Sequence, residues 1–167
     1  MRETVSLEIV FPYWTAYRAT LQILIRSPLA IAFASIFPIM GLVLISLWAT
    51  RNHSITLYDV VLLLGCFTFT PIITAMNIYL ARRRNPLSVG PFKYVFDESG
   101  IHGSSPAFEN TIRWVALRRV IETSEFILFY FAPTNAIAMP KLQLDAAGAL
   151  NSVREITRAN FSSYKDN

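Results

Sequence analysis

Along residues 4–11, TVSLEIVF, the apolar Val5, Leu7 and Ile9 alternate with the polar Thr4, Ser6 and Glu8. A period of two predicts a strand with one apolar face. The period changes in the next segment, PYWTAYRATLQILIRS, where Pro12 can open a helix and Trp14, Tyr17, Leu21, Leu24 and Ile25 recur at helical spacing. Trp, Tyr and Arg beside an apolar stretch suit a helix lying along lipid headgroups. Two runs then lack charge altogether: Ser27 to Thr50, and Val60 to Ala81. A hydrocarbon core of roughly 30 Å needs about 20 apolar residues at 1.5 Å rise, so each run is long enough to span it with modest tilt. Core helices of soluble proteins keep a polar face, and these runs have none. The first run starts too far from the amino terminus, and is too long, for a signal's apolar region. Pro38 and Pro71 interrupt the spans, while Thr68, Thr70, Thr74 and Asn77 make the second the more polar.

After the second span the periodicity returns to short strands. NPLSVGP reads as a turn-rich linker. Strands are predicted at 92–97, from Ile101 onward, at 109–114, 117–123 and 125–131, and over NAIAMP, with Gly100 of the DESG turn supplying a positive backbone angle. The last segment is helical, capped by Asp145, with Ala146, Ala149, Leu150, Val153, Ile156 and Phe161 near one face and Arg154, Glu155 and Arg158 largely opposite. SSYKDN is a frayed end. An isolated strand at 4–11 would leave its backbone donors and acceptors unpaired. A hairpin of two spans returns the chain to its starting side, so that strand is expected to join the later sheet as one split domain.

Charge sets the expected orientation. Arg18 and Arg26 precede the first span, Arg82, Arg83 and Arg84 follow the second, and the connection RNHSITLYD carries Arg51 offset by Asp59. Cytoplasmic flanks collect Lys and Arg, which puts both termini inside and the short loop outside. The net charge of +4 is then explained by membrane anchoring at Arg82–Arg84, without nucleic acid as a partner. Among 167 residues, 53% are hydrophobic and 16% charged, which shifts the chain away from ordinary soluble domains. The single Cys66 excludes an internal disulfide.

Candidate chemistry is sparse. His53 and His102 fall on opposite sides of the expected membrane and cannot share a metal. His102 beside Ser104 and Ser105 shows no orienting carboxylate in the local sequence. No GxxxxGK[ST] or GxGxxG occurs, and Asp97, Glu98 and Asp145 lack calcium-loop spacing. Trp114, Phe126, Phe129, Tyr130 and Phe131 read as core residues rather than a base-stacking platform. Asn52-His53-Ser54 matches a glycosylation sequon by a pattern short enough to arise by chance. These observations point to a chain with no catalytic residue, cofactor or metal. What remains is charged surface: Arg113, Arg118, Arg119 and Lys141 are a candidate interaction patch for anionic lipid or an acidic partner, set against Glu109, Glu122 and Glu125.

Certain short motifs carry a resemblance: Phe96-Asp97-Glu98-Ser99-Gly100-Ile101, then Trp114, Val120 and Glu122, then Phe126-Ile127-Leu128-Phe129-Tyr130, and Met139-Pro140-Lys141 before the final helix. With its strand, helix, two spans and C-terminal domain, the chain resembles the YcxB-like family of bacterial membrane proteins over most of its length, with the distinctive residues in 92–144. The resemblance implies a cytoplasmic module similar to pleckstrin-homology-like domains, a curved sheet closed by a C-terminal helix, and no defined enzymatic activity. The expected architecture is therefore membrane α+β, a two-helix transmembrane hairpin inserted in a cytoplasmic β-rich domain. Its parts are an N-terminal strand (1–11), an interfacial amphipathic helix (12–26), a hairpin (27–81, spans about 28–50 and 59–81) and a cytoplasmic domain (82–167). The expected location is a bacterial plasma membrane. The expected function is non-enzymatic: a protein- or lipid-interaction and regulatory module, with a membrane immunity protein against a toxin as the alternative. A subunit of a membrane enzyme or transporter would need sites supplied by a partner.

Overall fold

The structure, a computed structural model, describes residues 4–50, 55–84, 90–106 and 108–161. Arg51, the sequon, most of the NPLSVGP linker and the SSYKDN tail lie outside the described residues. The elements in chain order are β1 (Val5–Ile9), α1 (Tyr13–Ile25), α2 (Pro28–Thr50), α3 (Leu57–Arg84), β2 (Phe92–Phe96), β3 (Gly100–Ser105), β4 (Phe108–Arg113), β5 (Arg119–Glu122), β6 (Phe126–Tyr130), β7 (Ala136–Pro140), α4 (Lys141–Ala146) and α5 (Leu150–Asn160). The architecture is mixed α/β, with two open sheets in the orders β1-β2-β3-β4 and β5-β6-β7.

The first sheet is assembled from both sides of the helical pair. β1 runs antiparallel to β2 in the register Val5↔Phe96, Leu7↔Tyr94 and Ile9↔Phe92. Leu7, Ile9, Tyr94 and Phe96 are buried while Ser6 and Glu8 face outward, as a half-buried strand requires. Gly100 lies at φ +157°, and a Cβ there would sit 2.2 Å from the Ile112 carbonyl oxygen on the paired strand. That close approach reserves the position for glycine.

Every residue of β6, FILFY, is buried. Ile127 and Phe129 join the main core with Phe96, Met139, Leu144 and Val153, whereas Phe126, Leu128 and Tyr130 form a second cluster with Ala19 and Ile23 of α1. The second sheet is thus covered by α5 and the first sheet on one face and by α1 on the other. Burying both faces explains why β6 is continuously apolar instead of alternating. Gln143 links the sheets at their ends: its side-chain amide donates to the Val10 carbonyl at 2.6 Å and accepts from the Val10 N–H at 2.9 Å.

Two expected boundaries are corrected. Trp114 leaves the strand and opens a 3-10 turn, Trp114–Ala116, so β5 begins only at Arg119. Asp145 does not cap the last helix, because that segment is two helices. Gly148 takes φ +65°, its N–H reaches the Asp145 carbonyl, and the Ala149 N–H reaches Leu144. This is a Schellman termination of α4, after which α5 starts at Leu150 with no side-chain cap.

α2 and α3 form an antiparallel pair. The rings of Phe37 and Phe69 lie 4.2 Å apart, and a Cβ on Gly41 would touch Cys66 at 3.2 Å. Ser27, wholly buried, caps α2 through Oγ on the Ala30 N–H, followed by Pro28 in the first turn. Thr56 and Asp59 cap α3 reciprocally, with Asp59 Oδ2 accepting from the Thr56 N–H at 2.8 Å. Both helices are long and apolar enough to cross a membrane, and only 6% and 11% of their most apolar stretches is buried in the fold.

The Gly100 contact yields a direct check. Gly100→Ala is expected to destabilise the β domain by about 2 kcal/mol or more, because the clash is with backbone. Gly65→Ala, whose Cβ would meet nothing within 4 Å, is expected to be near neutral. Thermal denaturation of the purified chain compares the two.

Candidate interaction surface

The DESG turn builds the most polar cluster of the domain. Asp97 Oδ1 accepts from the Ser99 N–H at 2.7 Å, the Ser99 hydroxyl at 2.6 Å and the Gly100 N–H at 3.1 Å, and Oδ2 lies 3.1 Å from His102 Nε2. These bonds, that from the Ser99 hydroxyl foremost, hold the Asp97 carboxyl at about 2, below its ordinary 3.8. His102 therefore does have an orienting carboxylate, which local sequence concealed because it comes from the preceding strand end. The arrangement is nonetheless not that of a nucleophile and base. Ser99 Oγ lies 2.9 Å from the same Nε2 that meets Asp97, and Nδ1 faces Thr111 Oγ1 at 3.0 Å. A serine–histidine–aspartate relay needs serine and carboxylate on opposite ring nitrogens. The cluster instead ties β3 to β4 and fixes the turn, with the Trp114 indole donating to the Asp97 carbonyl at 2.8 Å.

A second polar centre is buried. Glu122 points inward from the end of β5 with its side chain 7% exposed, where Lys141 Nζ approaches at 2.6 Å and the Arg154 guanidinium donates to both carboxylate oxygens. Lys141 also donates to the Thr123 carbonyl at 3.0 Å. One carboxylate thus joins β5, α4 and α5. Among the described residues no group of three or more His, Cys, Asp or Glu side chains could hold a metal.

The structure places the candidate patch residues at several points of the two sheets, with Lys141 apart from Arg119. Lys141 is committed to Glu122 near the Phe126 end of the second sheet, while Arg119 stands at its other end opposite Tyr130. Arg118 is exposed beside it, and its backbone N–H donates to Tyr130. Arg113 belongs to the first sheet, opposite Gly100. Arg82 is held at the root of the hairpin, donating to the Phe11 carbonyl and lying over the Tyr13 ring, whose hydroxyl donates to Ala75. Arg83 and Arg84 are both exposed at the end of α3. Arg18 meets Glu125 at 3.2 Å in a solvent-exposed pair of small energetic weight.

Sequence reading passed over one grouping. Arg119 lies over the Tyr130 ring, its guanidinium carbon 4.0 Å from the centroid, and donates to the carbonyl of Arg26 at 2.7 Å. Burial pushes the Tyr130 phenol up, opposed by the charges of Arg119 and Arg26. No local signal joins residues 26 and 119. Their approach depends on α1 packing against β6.

Residues 96–157 match the family model described as YcxB-like protein, so a YcxB-like domain is present over part of the chain. The match reaches into α5 and leaves out β1, α1, the apolar helices and most of β2, whereas the sequence resemblance was drawn over most of the chain. No curated protein and no solved structure matches the chain.

Two measurements test the polar centres. Removing the Glu122 charge strands two partly buried cations, so Glu122→Gln is expected to cost about 2–3 kcal/mol, read by denaturant unfolding. The depressed Asp97 value means that its stabilising contribution is complete above pH 3.8 and is lost as pH falls towards about 2. Asp97→Asn is expected to flatten the acid limb of a stability–pH profile in that window.

Proposed function

We propose that the chain is a non-catalytic integral membrane protein in which α2 and α3 cross the bilayer and present the β domain at the cytoplasmic face of a bacterial plasma membrane. The observation that carries this reading is the exposure of α2 and α3. Ile36, Leu42, Leu64 and Ile72 are each more than half exposed, and in water each would forgo more than half of the roughly 1.5–3 kcal/mol that full burial gives. Hydrocarbon removes that cost. The β1–β2 pairing supports a return to the same side, since both strands must share one aqueous compartment. The arginines at 82–84, with Arg18 and Arg26, favour the cytoplasm for it.

The domain is read as an interaction or regulatory platform. Among the described residues, seven strands in sheets of four and three followed by a C-terminal helix support a pleckstrin-homology-like layout. The cations Arg113, Arg118 and Arg119 belong to its surface. Neutralisation of a toxin would use the same platform with a different partner.

Single cysteines in a Cys66→Ala background check the orientation. A membrane-impermeant maleimide is expected to label Ile55→Cys in intact cells, and Lys93→Cys and Glu155→Cys only after permeabilisation. Labelling of either domain position from outside, or purification as a monomer without detergent, overturns the reading.

A further inference from the structure

β4 is the outer strand of the first sheet, and it lacks the usual protections of an open edge. Native edges are blunted by proline, lysine, a bulge or a covering element. FENTIR holds neither proline nor lysine, and its register with β3 is unbroken from Gly100↔Arg113 to Ser105↔Phe108, which leaves no bulge. The other outer strand differs: just beyond β1, both backbone groups of Val10 are taken by the Gln143 side chain. Glu109, Asn110, Thr111 and Arg113 are all exposed.

Alternation decides which backbone groups point outward. The Asp97 N–H donates to the Gly100 carbonyl, so Gly100 bonds toward β2 and Ile101 toward β4. Ile112, opposite Ile101, therefore directs its N–H and C=O to β3, and so does Asn110. The closeness of the Ile112 carbonyl oxygen to Gly100 agrees. Glu109, Thr111 and Arg113 turn theirs to the open edge, where among the described residues no other backbone group meets them. Their side chains share one face, being two residues apart. That face is the outer one, because Ile112 of the opposite set is buried.

The order of these residues is self-complementary. A two-fold axis normal to the sheet through Thr111 pairs Thr111 with its own copy and sets Glu109 of each copy against Arg113 of the other. In that register the outward groups of all three residues meet as hydrogen-bonded pairs. The other two-fold registers set Glu109 or Arg113 against Thr111 or against its own copy, so charge selects this one. Among the described residues, neither Glu109 nor Arg113 has an ion pair within the chain. Thr111 is braced by His102, with Nδ1 and Oγ1 3.0 Å apart, so the centre of the edge is held in place before pairing.

We propose that β4 is a homodimer interface at which two copies of this chain join their first sheets edge to edge, antiparallel about Thr111, with Glu109 and Arg113 paired across it twice. The inference goes beyond the membrane reading above and does not depend on it. Two chains in water can pair in this way, and so can two in one bilayer when the axis lies along the membrane normal. A ladder along one short strand covers little area, so the dimer is reversible and of micromolar strength.

Sedimentation velocity of the purified chain over the micromolar range, with detergent only if the chain needs it, tests the pairing. The parent chain is expected to pass from monomer to dimer. E109R and R113E each put like charges opposite one another at both contacts, and each is expected to raise the dissociation constant about tenfold or more. E109R/R113E exchanges the charges and is expected to restore the dimer. Mixing the two single variants is expected to give a heterodimer, because one edge then carries two arginines and the other two glutamates. Both restorations also show that the single variants fold. A parent chain that stays monomeric overturns the proposal and leaves the edge to a strand of another protein. Single variants that dimerise as well as the parent overturn it in favour of another surface, such as α2 and α3. A loss that the exchange or the mixture fails to restore overturns it as well. A dimer with this charge pattern in a chain soluble without detergent sinks the membrane reading and leaves the interface standing.

Discussion

Five backbone pairs between β1 and β2 join a segment that precedes two long apolar helices to one that follows them. Backbone donors and acceptors of an isolated strand have no intrahelical alternative, so β1 is ordered only if the chain comes back to meet β2. That requirement makes α2 and α3 a closed excursion. It also puts Leu7 and Ile9 into the same core as Phe96, Phe129 and Val153. Without β1, Tyr94 and Phe96 would lose their partners Leu7 and Val5, and β2 would become the edge of the first sheet.

α1 gives the excursion a fixed base. One side covers Phe126, Leu128 and Tyr130, while Tyr13 reaches Ala75 and lies under Arg82 on α3. The helix is therefore a joint between domain and hairpin, packed on both, with Trp14 and Ile25 left exposed along its outer side. The helix itself was visible in sequence from its apolar spacing. The contact with the second sheet was not, because Ala19 and Ile23 carry no mark distinguishing a lipid-facing from a protein-facing position.

Periodicity exposed the elements well where a single environment governed each residue. The alternation of Val5, Leu7 and Ile9, the charge-free runs and the Gly100 turn all translate directly into β1, α2, α3 and the β2–β3 hairpin. The YcxB-like motifs were legible too, although the matched domain is confined to residues 96–157. Legibility failed where tertiary geometry decides. Trp114 has strand-forming character, yet its indole bond to the Asp97 carbonyl draws it into a 3-10 turn. Asp145 resembles a cap, but Gly148 ends one helix just beyond it. Glu122 reads as one more surface charge until α4 and α5 bring Lys141 and Arg154 to it. The bond from Arg119 to the Arg26 carbonyl had the same obstacle, a long separation in sequence bridged by packing alone.

The pairing of β1 with β2 is the claim on which the rest stands. Cross-linking tests it most directly, with cysteines at Ser6 and Val95, register partners across the excursion, in a Cys66→Ala background and in native membranes. An intramolecular disulfide should form as readily as in the reference pair Val95 and His102 of β2 and β3. If the reference pair closes while the Ser6–Val95 pair stays reduced or links separate chains, the split domain is contradicted.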